Sequence, residues 1–433
     1  MPDMRELVNL MNELQDQLAL CVRCGTCQSV CPLFAQTGQE ADVARGKLAL
    51  LDGLLQEMFK NPKGVYARLD RCLLCGSCAA ACPSGVKVLD IFIKARAILT
   101  VYIGLPWIKK IVLHKILSHP RTFDRLIKWS SKFQKLFFRP VDDTLKTSCV
   151  RFLPSQLSKR HIVSIASEPF HCQIPSFNTE PGHSKIKVAV FVGCLIDKIY
   201  PNIARATLDV LIHHGVGVFI PENQGCCGIP AISAGEVTAF NRLVRHNLVE
   251  YSGADFDYLI TSCATCTSTI KNIWPMMFQH ESDKIKAQVE KIAEKTMDIS
   301  QFLVSKIGIQ TGNNHSEDIK TVTYHDPCHL KKSLGVSDEP RVLIKANPRY
   351  LFREMPDADT CCGMGGSFNL QYYDISSDIG KIKLENIKLS GCDIVATGCP
   401  ACMIQLSDII SKSGNRIAVK HPIEIYSDFL KNH

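Results

Sequence analysis

Between His325 and Cys402 the chain reads HDPC at 325–328, CCG at 361–363 and CPAC at 399–402. The same order occurs once earlier, as Cys194, then Cys226-Cys227-Gly228, then Cys263-Ala-Thr-Cys266. The copies keep register: Cys328 lies 134 positions after Cys194, Cys362 135 after Cys227, and Cys402 136 after Cys266. An internal repeat of this kind predicts two similar units, each built around five cysteines.

Each unit reads as alternating strands and helices. In the first, a strand over 185–193 ends at Cys194, helices are expected at about 202–214 and 235–252, and short strands over 216–221 and 257–262. In the second, strands end at Cys328 and Cys399, with helices expected at about 338–346 and 376–390. Such alternation predicts parallel sheets covered by helices. Ligands gather at the carboxyl ends of such strands, which puts the five cysteines of each unit on one rim. The CxxC pair is expected to open a helix, whose dipole favours thiolate. Gly228 and Gly363 permit the bend that aims both sulfurs of a Cys-Cys pair at one site.

Two further runs lie near the N-terminus: Cys21-x2-Cys24-x2-Cys27-x3-Cys31-Pro32 and Cys72-x2-Cys75-x2-Cys78-x3-Cys82-Pro83. This is the spacing of bacterial two-cluster ferredoxins, in which the fourth cysteine ligates the other cluster. It assigns Cys21, Cys24, Cys27 and Cys82 to one [4Fe-4S] cluster, and Cys72, Cys75, Cys78 and Cys31 to the other. Zinc knuckles fit eight cysteines in this spacing poorly. Between the runs, Leu48, Leu51, Leu55 and Phe59 recur at helical spacing and predict an insertion helix over 38–60. Arg45 and Lys47 are expected to face solvent, with contact to a cluster or partner as the alternative.

The chain has 433 residues, 21 cysteines and a net charge of +8. The length allows two or three domains. The N-terminus, MPDMRELVNLMNELQDQ, reads as an amphipathic helix without an apolar signal core. With CxxC spacing rather than a disulfide scaffold, a reducing, cytoplasmic setting is expected. Between 105 and 160, Lys109, Lys110, Lys115, Arg121, Arg125, Lys128, Lys132, Lys135, Arg139, Lys146, Arg151, Lys159 and Arg160 face only Asp124, Asp142 and Asp143. No run reaches the roughly 18–20 apolar residues that span a bilayer. In 98–117, Trp107, Ile108, Ile111, Val112 and Leu113 can share one helix side. Docking on the chain's own second half is the expectation for that side, and peripheral membrane contact the alternative. Residues 154–183 read as an extended linker. Cys149, Cys172 and Cys392 lack ligand spacing and read as free thiols. His325, His329 and His421 are expected to be structural; hydrogen bonding to cluster sulfurs or proton relay is the alternative.

Five thiolates per repeat are one more than a cubane needs. Either one cysteine per unit is free, or the cluster is larger or more open than a cubane; zinc with a spare cysteine is the competing reading. The pattern Cys-x31-CysCysGly-x34-Cys-x2-Cys, repeated with x32 and x35, resembles the cysteine-rich CCG domain of heterodisulfide reductases. With the two-cluster run in front, the chain is similar to the iron-sulfur subunits of glycolate oxidase and of lactate-oxidising and anaerobic glycerol-3-phosphate dehydrogenases. The resemblance implies a helical ferredoxin-like domain (1–97), a basic bridge (98–183) and two pseudo-symmetric α/β CCG domains (184–312 and 313–433). It also implies a further iron-sulfur cluster, of the fused type, on Cys194, Cys226, Cys227, Cys263 and Cys266. Another would sit on Cys328, Cys361, Cys362, Cys399 and Cys402.

GMGGS at 363–367 follows a cysteine rather than a strand, so no nucleotide or flavin fingerprint is present. The expectation is therefore an electron-transfer subunit, with no nucleic-acid partner. An FAD-containing partner would oxidise glycolate or D-lactate, and a quinone or other carrier would exchange electrons with this chain. The alternative is a heterodisulfide reductase that splits a disulfide at a CCG cluster. Anaerobically purified chain is expected to hold iron and acid-labile sulfide; zinc without iron in the second half would establish the zinc reading instead.

Overall fold

The computed structural model describes residues 14–58, 61–150, 160–312 and 319–431, without the side chains of 131–133 and 135–136. Residues 1–13 of the expected first helix, Phe59, Arg151 and Lys159, and the side chains of Lys132 and Lys135, lie outside the described residues.

The N-terminal part is helical. Short helices Thr26–Ser29 and Ser77–Ala80 follow the two cysteine loops. The insertion is a 3-10 turn, Glu40–Asp42, and two helices, Ala44–Leu55 and Pro62–Asp70. Leu48 and Leu51 pack inward as their spacing requires. Solvent exposure does not hold for Lys47 and holds only in part for Arg45. Lys47 is 1% exposed and donates to the Asp42 carbonyl. Arg45 pairs with Glu40 at 2.7 Å and donates to the Arg23 carbonyl at 3.3 Å, against the first cysteine loop.

Helix Val88–Ile103 carries the ferredoxin-like part onto the rest, and its anchor is Arg96. This buried guanidinium donates to the carbonyls of Leu69 and Cys72 on one side and Ser233 on the other, at 2.5, 2.9 and 2.7 Å. Gly235 lies against it with φ +79°; a Cβ there would sit 2.2 Å from Thr100 Oγ1 and 2.4 Å from the Arg96 carbonyl oxygen.

The bridge is less helical than its composition suggests. After helix Pro120–Phe137, strands β1 (Phe138–Asp142), β2 (Thr147–Val150) and β3 (Ile162–Val163) form an antiparallel sheet. In the expected linker, helix Phe170–Gln173 and β4 (Phe177–Asn178) are ordered elements. The docking expectation for 107–113 fails for most of its residues. Trp107 is 72% and Ile108 58% exposed, Ile111 and Val112 are also exposed, and only Leu113 is buried.

The repeats fold alike. In the first, β5 (Lys187–Val190), β6 (Gly217–Ile220), β7 (Tyr258–Thr261) and β8 (Thr296–Asp298) form a parallel sheet ordered β6-β5-β7-β8, with β4 added antiparallel at its edge. In the second, β9 (Lys320–Tyr324), β10 (Tyr350–Phe352), β11 (Ile394–Ala396) and β12 (Ala418–Lys420) are ordered β10-β9-β11-β12, all parallel. The units exchange helices reciprocally. Ile299–Phe302, after β8, packs on Asp338–Lys345; Pro422–Leu430, after β12, packs on Pro201–His213. Ala264–Ser268 meets Cys328–Leu334, and Pro400–Ser413 meets Cys194–Lys198.

His421 caps the last of these helices through Nδ1, which accepts the Ile423 N–H at 3.1 Å, and Glu424 returns the bond to the His421 N–H. Burial pushes this imidazole down to about 4. The unfolded chain therefore takes up a proton below pH 6.5 that the folded chain refuses, and stability falls with pH until about pH 4. His421→Asn keeps a cap acceptor and is expected to remove about 2 kcal/mol of the stability lost between pH 6.5 and 5, read from melting temperatures across that range. Gly235→Ala is expected to cost roughly 2–4 kcal/mol through overpacking and the left-handed φ. Gly253→Ala, with open space around its Cβ, is expected to leave the melting temperature nearly unchanged.

Candidate metal centres

The two N-terminal loops place their cysteines in two groups. Cys21, Cys24, Cys27 and Cys82 line one cavity together with Cys78, floored by Ala44, Leu48 and Val86. Cys31 comes from the first loop to face Cys72 and Cys75, and Cys78 lies beside all three. Backbone amides aim at sulfur: Leu74 N–H at Cys72 Sγ, 3.4 Å, and Phe34 N–H at Cys31 Sγ, 3.5 Å. The first loop is the outer one. Cys24 is exposed, and its thiol is held below the usual range by Thr26. Burial pushes Cys31 up to about 11.

In each repeat the first cysteine opens a helix after a strand, and the CxxC pair opens another: Cys263 caps Ala264–Ser268, and Cys399 caps Pro400–Ser413. The glycine after each Cys-Cys pair has a left-handed backbone, φ +94° at Gly228 and +92° at Gly363. A Cβ would strike a longer helix further along in both, Val237–Ser252 at 2.6 Å from Phe240 Cδ2 and Tyr373–Leu389 at 2.6 Å from the Ser376 carbonyl. The glycine N–H then donates back to the first sulfur of the pair, Cys226 at 3.5 Å and Cys361 at 3.4 Å.

The ten thiols form a continuous series. Cys194 Sγ lies 3.6 Å from Cys226 Sγ. Cys226 neighbours Cys227, Cys227 neighbours Cys266, and Cys266 neighbours Cys263. Cys263 meets Cys399 across the boundary between the units. From Cys399 the contacts run through Cys402, Cys362 and Cys361 to Cys328. Cys361 also touches Cys75 of the ferredoxin-like part. Three thiols of the series are held low: Cys227 by the thiols of Cys226 and Cys266, Cys362 by those of Cys361 and Cys402, and Cys399 by those of Cys263 and Cys402. Thiol neighbours and burial push Cys194, Cys266, Cys328 and Cys402 up.

This donor set fits iron-sulfur clusters. All 21 cysteines are free, the thiols converge in buried groups, and main-chain amides point at them. His325 supplies an independent sign. It is buried, neither ring nitrogen has a hydrogen-bond partner, and one lies within 4.8 Å of the Cys362 and Cys402 sulfurs. An unpaired buried imidazole of this kind needs a neighbouring group to satisfy it. Burial pushes it down to about 3, so it is neutral near pH 7. His329 has a connecting place instead, its Nε2 3.2 Å from the Leu74 carbonyl and its Nδ1 3.1 Å from Thr265 Oγ1. Thr265 Oγ1 is 3.4 Å from Cys399 Sγ.

Sequence reasoning missed Lys383 and Asn247, which hold the loops before the Cys-Cys pairs. Lys383 donates to the Asp357 and Ala358 carbonyls at 2.6 and 3.3 Å, and burial pushes it down to about 8. Asn247 donates to the Cys226 carbonyl and accepts the Gly225 N–H, at 3.0 and 2.9 Å. They stand 136 positions apart, the offset of the CxxC pairs, and that register was the available signal. Cys149 and Cys172 are part-exposed, and Cys392 is buried; none belongs to these groups. No helix among the described residues is long and apolar enough to cross a membrane.

A 4Fe-4S dicluster domain model matches residues 17–86, and a cysteine-rich (CCG) domain model matches 188–271 and 322–407. The chain is 28% identical to the probable glycolate oxidase iron-sulfur subunit of Bacillus subtilis, over 95% of this chain and 94% of that one. It is 30% identical to lactate utilization protein A 1 of Bacillus cereus, over 55% of this chain and 98% of that one. It is 29% identical to a fumarate reductase (CoM/CoB) subunit of Methanothermobacter marburgensis, over 91% and 68%. The dicluster domain, the two CCG domains and this coverage together make the chain a member of the family of iron-sulfur subunits of the glycolate oxidase and lactate utilization type.

Proposed function

We propose that the chain is the electron-transfer subunit of a flavin-dependent 2-hydroxy acid dehydrogenase complex. A partner flavoprotein would oxidise glycolate or D-lactate, and a quinone or another carrier would take the electrons. The observation that carries this reading is the unbroken series of thiols from the exposed first loop to Cys194. In this reading Cys21, Cys24, Cys27 and Cys82 hold one cubane, and Cys31, Cys72, Cys75 and Cys78 a second. The five cysteines of each CCG unit hold one further cluster. The bound clusters would supply one-electron oxidation and reduction.

The chain's own residues set the spacing and the surroundings. Arg96 ties the second loop to the first CCG unit, and His329 and Lys332 tie it to the second; Lys332 donates to Ser77 Oγ at 2.7 Å. Main-chain amides solvate negative sulfur, and the neutral His325 imidazole beside Cys362 and Cys402 adds no competing acid. Where the units meet, the thiol of Cys399, at the opening of helix Pro400–Ser413, is held in its anionic form by the thiols of Cys263 and Cys402, and the helix dipole adds to this. The exposed first loop, with Cys24 at the surface, is the natural docking end for the flavoprotein.

A second reading has a specific support: the relative named as a CoM/CoB fumarate reductase component matches 91% of this chain. In that reading a CCG centre itself splits a disulfide. The complex purified anaerobically from its source cells separates the two. Co-purification of a flavoprotein, with glycolate or D-lactate bleaching most of the visible iron-sulfur absorbance, is the expected result. Reoxidation of the prereduced chain by a disulfide, with no flavoprotein present and no response to hydroxy acids, would replace it with the second reading.

A further inference from the structure

The repeat offers a comparison within one molecule. In the second unit the face of Cys328 and Cys361 is covered by the ferredoxin-like part: Leu73 and Cys75 pack with Cys361, and Cys31 and Cys328 lie against the same cluster. The register maps Cys328 onto Cys194 and Cys361 onto Cys226. In the first unit, therefore, Cys194 and Cys226 form the equivalent face. Among the described residues, no ferredoxin loop lines it. It opens instead into a cleft walled by the bridge, with Leu117, Phe123, Phe170 and Ile174 on the apolar sides.

One end of this cleft is charged. Lys198 Nζ lies 2.6 Å from Asp124 and is also paired with Asp197. His171 Nδ1 is 2.9 Å from Asp197, and its Nε2 is 3.8 Å from Asp124. Two carboxylates against one lysine leave no net positive charge. A carboxylate or sulfonate ligand would find no unpaired cation here, whereas a neutral ligand with polar oxygens would find donors. The wall segment also continues into exposed apolar surface, with Trp107, Ile108, Ile111 and Val112 before it and Leu126 after it. Apolar residues interleaved with lysines and arginines suit approach from a lipid surface.

We propose that this cleft is the acceptor site, and that it binds the headgroup of a quinone. The proposal rests on the electron-transfer reading above and gives the wire its second end. Electrons enter the second unit at Cys328 and Cys361, cross at Cys399 and Cys263, and leave by Cys194 and Cys226. The quinone takes two electrons, originally from the hydroxy acid, and each of its two oxygens gains one proton to give the quinol. His171, part-exposed and held by Asp197, passes those protons in from water. It is the group to place beside one quinone oxygen, with Lys198 oriented by its two carboxylates beside it.

The test is photolabelling of the anaerobically purified, cluster-loaded chain in detergent micelles with an azido-naphthoquinone, followed by peptide mapping. Labels within 117–124, 170–175 or 220–226, displaced by excess unlabelled naphthoquinone, are expected. Ile174→Trp fills the cleft while leaving every cysteine in the chain, and is expected to cut this labelling about tenfold, with unchanged visible absorbance showing that the fold and clusters persist. Labelling confined to the exposed 107–112 segment, labelling indifferent to Ile174→Trp, or displacement by a charged disulfide but not by the quinone would each overturn the proposal. Hydroxy-acid bleaching of the unaltered complex keeps the two readings apart. Bleaching with labels elsewhere removes the cleft alone, and labels in the cleft without bleaching remove the electron-transfer reading on which its redox role rests.

Discussion

The contact between Cys263 and Cys399 is the constraint on which the rest of the structure depends. Each of these residues follows an inner strand and caps a helix of its own unit. They can meet only if the two sheets present the same rim to a common axis. The reciprocal helix exchange enforces that arrangement, because each unit completes its core with a helix from the other. The Ala264 N–H bond to the Gly398 carbonyl, 2.9 Å long, fixes the approach at the axis itself. Two sites that are separate in sequence thereby become one series of sulfurs.

That arrangement is costly without metal. Ten thiols gathered in low-dielectric surroundings cannot all ionise, and burial together with neighbouring sulfur pushes several of them up. Metal binding requires thiolates, so it works against this protonation and gains from the convergence the fold has already imposed. Folding of the repeats and loading of the sites are for this reason coupled. The buried His325 belongs to the same balance: the protein's own groups leave its nitrogens without partners beside Cys362 and Cys402.

The cysteine spacing made the repeats, the strand ends, the CxxC helices and the glycine bends legible, because each is a local demand of the backbone around a thiol. Strand order followed from the alternation of elements. What was not legible depended on contacts between distant segments. Lys47 looks like a surface lysine, yet it is enclosed because its amine finds the Asp42 carbonyl five residues away. Apolar Trp107, Ile108, Ile111 and Val112 look like core, yet only Leu113 beside them turns inward. The β1–β3 sheet of the bridge has short strands with little alternation, and its last strand is held by the Pro400–Ser413 helix more than by any pattern of its own. His329 was singled out for lying beside a cysteine, but its place follows from Leu74 and Thr265, 255 and 64 positions away.

The division between repeat and cover also explains why the two units diverge in chemistry while sharing a frame. The residue four positions after the first cysteine is lysine in both, Lys198 and Lys332. Its backbone position is the same, in a short helix that starts at the cysteine. Its partners are not. Lys332 reaches the ferredoxin-like loop at Ser77, whereas Lys198 is clamped between Asp197 of its own helix and Asp124 of the bridge. Asp197 has Lys331 as its counterpart, so the second unit lacks the carboxylate that would hold its lysine back and its amine is available to the incoming loop. The side chain beside the lysine and the carboxylate of the bridge thus go together with the two outcomes: one rim joins the ferredoxin-like loop and the other borders a cleft.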